Sequence, residues 1–155
     1  MKNLFISLVV FINVYCFSGA QGQNIDWNLV ITIDEKVIYE NIDDMKLRIK
    51  GINEVGSIKA TYVPGSLKLL ELNNQLNTIE DSLFLSFTHF VYEKSNLFEY
   101  EYEIYLSKEW FNYSFMVISI YNLDNKKYRR RYKSHKNKPF VYDLYSSKFT
   151  RLTMH

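Results

Sequence analysis

The chain has 155 residues, 47% hydrophobic and 23% charged, with a formal net charge of +2. That length suits one domain and leaves no room for two sizeable cores, which argues against a multidomain enzyme. Five glycines and two prolines exclude collagen-like and low-complexity chains.

Lys2 precedes an apolar run from Leu4 to Phe17, and Ser18-Gly19-Ala20 follows. A positive end, a short hydrophobic stretch and small residues at the third-last and last positions predict an export signal cleaved after Ala20. The expected location is secreted or periplasmic. Two alternatives keep the chain on a membrane. An uncleaved anchor wants about 20 apolar residues, and Asn13 interrupts this run. A lipid on Cys16 would have to tolerate bulky Tyr15 immediately before it. Cleavage would remove Cys16, the only cysteine, and with it any disulfide, zinc–thiolate or cysteine-nucleophile chemistry.

Beyond the signal the side-chain period is close to two, with β-branched and aromatic residues enriched, as half-buried strands require. Trp27 to Ile33 places Leu29, Ile31 and Ile33 on one face, and Asp34-Glu35-Lys36 turns into Val37 to Glu40, an opening hairpin. Strands are expected at Lys46 to Ile52, Ile58 to Val63, Leu67 to Leu72 and Leu83 to Tyr92. In Phe98 to Leu106, Tyr100, Tyr102, Ile104 and Leu106 alternate with Glu99, Glu101 and Glu103, giving one core face and one wet face. Lys108 to Asn112 suits a single helical turn at a corner, and strands follow at Tyr113 to Tyr121, Lys127 to Lys133, Phe140 to Tyr145 and Phe149 to Met154. Pro64-Gly65, Asn73-Asn74, Asp124-Asn125 and Asn137-Lys138-Pro139 punctuate these runs. Short strands on short turns predict antiparallel pairing in an all-β sandwich of about seven to ten strands, immunoglobulin-like or transthyretin-like in architecture. A small up-and-down barrel is the alternative, because periodicity reports strands and not their closure.

Charge is unevenly spread. Lys126, Lys127, Arg129, Arg130, Arg131, Lys133, Lys136 and Lys138 place eight positive charges in thirteen residues with no acid among them. Such a cluster makes a local positive field within a Debye length of about 8–10 Å. If residues 98–106, 113–121 and 127–133 are consecutive antiparallel strands, the glutamate and arginine strands lie about 10 Å apart and neutralise each other incompletely. A three-residue turn through Lys126 would put Tyr128 and Tyr132 on the face of Ile118 and Ile120 and leave Arg129 and Arg131 outward. The expected site is therefore a polyanion-binding hairpin. Arg129 and Arg131 would fork-bond phosphate, sulfate or carboxylate, Lys126, Lys127, Arg130 and Lys133 would add charge, and Tyr128, Tyr132 or Trp110 would stack on a ligand. The competing use of such a run is a solvated edge strand that prevents aggregation. For an exported chain an acidic protein, glycan or lipid headgroup ranks above nucleic acid. A carrier for a small apolar ligand, held between sheets or in a barrel, is the second functional class.

Catalytic and cofactor patterns are missing from the sequence. His89, His135 and His155 stand at no metal-ligand spacing, and neither a nucleophile elbow nor a phosphate-cradling glycine loop occurs. Glu99, Glu101 and Glu103 point one way along a strand, about 6.6 Å apart, rather than flanking a scissile bond. No enzyme activity, metal or cofactor is expected.

Overall fold

A computed structural model describes residues 25–50, 55–69 and 82–155. The export signal and the Asn73-Asn74 turn lie outside the described residues. The strands are β1 (Ile25–Trp27), β2 (Leu29–Ile33), β3 (Lys36–Val37), β4 (Ile42–Lys50), β5 (Val55–Val63), β6 (Ser66–Leu69), β7 (Ser82–Glu93), β8 (Asn96–Leu106), β9 (Met116–Asn122), β10 (Phe140–Ser146) and β11 (Leu152–Met154). A 3-10 turn spans Lys108–Asn112, a short helix α1 spans Lys126–Arg131, and a second 3-10 turn spans Lys133–His135.

Among the described residues the strands form two sheets, ordered β1-β6-β5-β4-β7-β8 and β11-β10-β9-β2-β3. They pack face to face as a sandwich and do not close into a barrel. Period-two patterning supplies the core. Leu29, Ile31 and Ile33 from β2 and Met116, Ile118 and Ile120 from β9 meet Leu47, Leu83, Leu85, Ile104 and Leu106 from the other sheet. Three tyrosines tie the layers by their hydroxyls. Tyr62 accepts from the Ile31 N–H at 2.8 Å, Tyr142 accepts from the Tyr105 N–H at 3.1 Å, and Tyr102 donates to Asn122 Oδ1 at 2.9 Å. Part of the tyrosine surplus therefore satisfies polar groups between the sheets.

Turn chemistry fixes the hairpins. Asp34 and Glu35 have φ of 50° and 70°, and Lys94 and Ser95 have φ of 45° and 73°, the left-handed pairs that match strand twist in two-residue hairpins. Gly65 at φ 91° follows Pro64 in the β5–β6 turn, where a residue with a Cβ would be strained.

Two expectations are overturned. Pairing is not antiparallel throughout, because β2 runs parallel to β9, with Leu29 opposite Met116 and Ile33 opposite Ile120. The long stretch between them, folded into the other sheet, makes that crossover possible. Residues 127–133 are not a strand: Lys126–Arg131 is helical. The Asn125 side chain accepts from the Lys127 N–H at 3.0 Å and caps the helix, and Lys and Arg are good helix formers. Tyr128 and Tyr132 are four apart, a spacing that shares a face in a strand and in a helix alike. The glutamate strand β8 and the basic segment are consequently not neighbours in one sheet. Smaller differences are boundaries: β3 ends at Val37, β9 starts at Met116 and β11 starts at Leu152.

Candidate functional site

The basic residues form a surface layer on the outer face of the five-stranded sheet. Their carrier is a second, smaller apolar cluster of Tyr121, Leu123, Tyr128, Tyr132 and Val141, all buried. Tyr121 and Val141 project from β9 and β10 on the side away from the main core, and Tyr128 of α1 and Tyr132 at its C-cap lie on them. Ring centroids of Tyr121 lie 5.0 Å from Tyr128 and 5.4 Å from Tyr132. The expected placement of these tyrosines on the isoleucine face is thus reversed. Tyr128 is 2% and Tyr132 7% exposed, so neither offers a ring face to a ligand. Trp110 is buried too, edge-on to Tyr105 and Phe149, and plugs the corner between β8 and β9.

A buried carboxylate anchors the layer from below. Asp143 on β10 is fully buried and accepts from the Tyr132 hydroxyl at 3.0 Å and the Thr153 hydroxyl at 2.6 Å, while Arg151 Nη2 lies 3.0 Å away. Helix α1, β10 and β11 are thereby joined at one group. Burial, and then the neighbouring Asp143 charge, push the Tyr132 phenol well above its ordinary range and keep it a donor.

The basic side chains fall into two sets. Three are committed locally. Arg129 donates from Nε to the Leu123 carbonyl at 2.7 Å and from Nη2 to the Asp124 carbonyl at 3.2 Å, capping the end of β9. Lys127 donates to Glu35 at 2.7 Å, and each raises the ionised fraction of the other, lowering the Glu35 pKa and raising that of Lys127. Arg131 stacks its guanidinium over Tyr121 and Tyr132, at 5.5 and 5.3 Å from the ring centroids. The others, Lys126, Arg130, Lys133, Lys136 and Lys138, are exposed, and among the described residues no carboxylate lies within 4.0 Å of them. Of the six cations expected to form the site, Lys126, Arg130 and Lys133 are therefore solvent-facing and unpaired, with Lys136 and Lys138 continuing the patch. Lys127, Arg129 and Arg131 have structural tasks.

Beside α1 stands a polar junction that the sequence did not single out. Asp34 Oδ1 accepts from the Asn122 N–H at 2.9 Å, Oδ2 lies 3.3 Å from Asn122 Nδ2, and Tyr100 donates to Asp124 at 3.1 Å. Burial raises the Asp34 pKa above 3.8, against the opposing pull of the Asn122 hydrogen bonds. A carboxyl that holds its proton more tightly when folded favours folding at low pH, and that contribution is lost as pH rises through its folded pKa. Urea unfolding at about pH 3.5 and about pH 6.5 is expected to show Asp34→Asn gaining on the parent as pH rises. A difference constant with pH would contradict it.

The chain matches no protein-family model, no curated protein and no solved structure.

Proposed function

We propose that the protein is an exported, non-enzymatic binding module whose α1 layer recognises an acidic partner, with sulfated or carboxylated glycan the first choice and anionic lipid or acidic protein behind it. The observation that supports this reading is the spacing of the unpaired cations on a rigid base. Arg130, Lys133, Lys136 and Lys138 project from a helix, a 3-10 turn and a tight loop held by backbone bonds from Tyr132 N–H to Tyr128 O, His135 N–H to Tyr132 O and Lys138 N–H to His135 O. A backbone already fixed on a packed surface need not be ordered again when an anion arrives, so only side-chain freedom is lost. Stacking by Tyr128, Tyr132 or Trp110 has no part in the mechanism, since all three are buried.

Retention on immobilised heparin at low salt tests the proposal. Changing Arg130, Lys133 and Lys136 together to serine removes charge without touching a packed group. The variant is expected to elute at clearly lower salt than the parent, consistent with counterion release from several contacts. Coincident elution would remove the proposal.

A further inference from the structure

Strand β8 ends the six-stranded sheet, and among the described residues nothing pairs with its second edge. In an antiparallel ladder alternate residues direct N–H and C=O toward the partner, and the residues between direct theirs away. The register of β7 and β8 is unbroken from Leu83/Leu106 to Glu93/Asn96. The Tyr105 N–H leaves that ladder to reach Tyr142, and the Phe90 N–H, opposite Glu99, leaves it to reach the Asn41 carbonyl. Glu101, Glu99 and Leu97, in phase with Tyr105, therefore aim their amides at the open edge.

That edge lines a cleft of about 580 Å3 whose facing wall is Lys136, Lys138, Pro139 and Phe140. The two sides of the edge differ in chemistry. Glu99 and Glu101, both exposed, occupy the outward phase of β8 at the rim of the cleft, while the inward phase brings Tyr100 beside Phe140, with Asp124, Lys136 and Lys138 on the surrounding wall. We propose that β8 accepts an extended polypeptide segment as an added strand, with lysine or arginine at alternate positions opposite Glu99 and Glu101 and apolar side chains turned into the cleft. A second copy joining β8 to β8 would set glutamate against glutamate and is disfavoured. Slipping the segment by one residue would aim its cations at Lys136 and Lys138, so the two walls fix which side chains face in. This site borders the anion-binding surface proposed above, sharing Lys136 and Lys138 with it, but takes the opposite charge along its glutamate edge.

The test uses fluorescein-labelled Lys-Val-Lys-Val-Lys-Val-Lys and Glu-Val-Glu-Val-Glu-Val-Glu, followed by anisotropy, with amide hydrogen exchange on the complex. The lysine peptide is expected to bind and to slow exchange at Glu99 and Glu101. The pair Glu99→Lys and Glu101→Lys should weaken that binding about tenfold or more and transfer preference to the glutamate peptide. Glu101→Pro deletes an edge amide that β7 does not use, a substitution edge strands tolerate, and should reduce binding of the lysine peptide in the folded variant. Should the proline variant fail to fold, the charge reversal decides alone. No binding of the lysine peptide, an unchanged preference after reversal, or protection away from β8 would overturn the proposal. So would concentration-dependent self-association that protects β8 without peptide.

Discussion

Replacing Asp143 by alanine is expected to lower the unfolding free energy by about 3 kcal/mol, a large share of the marginal stability of a small domain. The carboxylate is fully buried and is the shared acceptor of Tyr132 and Thr153. Its loss leaves two hydroxyls without their partner, one of them on a tyrosine that is itself buried. Arg151 adds less, because its side chain is 43% exposed and can return to water. Asparagine at the same position keeps an acceptor and should lose clearly less than alanine. Urea unfolding followed by tyrosine fluorescence measures both. A loss under about 1 kcal/mol for alanine would mean that the junction does not hold α1 to the sheet.

Trp110→Ala is expected to cost about 3–5 kcal/mol while leaving heparin retention of the folded fraction unchanged. The indole sits in a 3-10 turn that carries the chain from β8 in one sheet to β9 in the other, and it packs against Tyr105 and Phe149 at 6.1 and 6.2 Å between ring centroids. A cavity there loosens the passage between layers. Loss of retention without loss of stability would make Trp110 a ligand contact instead.

The sandwich was legible because alternation in Leu29–Ile33 and Phe98–Leu106 admits one folded reading, one face in and one face out. The single helical turn over Lys108–Asn112 was legible as well. Residues 126–133 were not, since tyrosines four apart satisfy both periods and the cationic residues between them set no face. Asn125 immediately before the run was the available signal, as a helix cap rather than a turn residue. Asp143 was not legible for a related reason. It occupies the outward phase of β10, where a carboxylate reads as solvated, but Tyr132 at the end of the helix and Arg151 and Thr153 from the β11 side close over it. Once 126–131 is a helix, Tyr128 within it and Tyr132 at its C-cap need an apolar surface, and the outward phase of β9 and β10, Tyr121 and Val141, is the one they find. The cation cluster was visible as a count but not as an allocation, because bonds such as Arg129 to the Leu123 carbonyl depend on the helical geometry.

A local anion site and attraction by total charge predict different responses to where charge is removed, and that is the basis of the test. The most direct test of the proposed site is the salt dependence of heparin affinity in two triple variants of equal net charge. One carries serine at Arg130, Lys133 and Lys136, and the other at the exposed Lys36, Lys59 and Lys68. A local site predicts that the first variant loses affinity and has a shallower slope of log K against log salt, while the second follows the parent. Equal losses in the two variants would show attraction by overall charge and contradict a binding surface on α1.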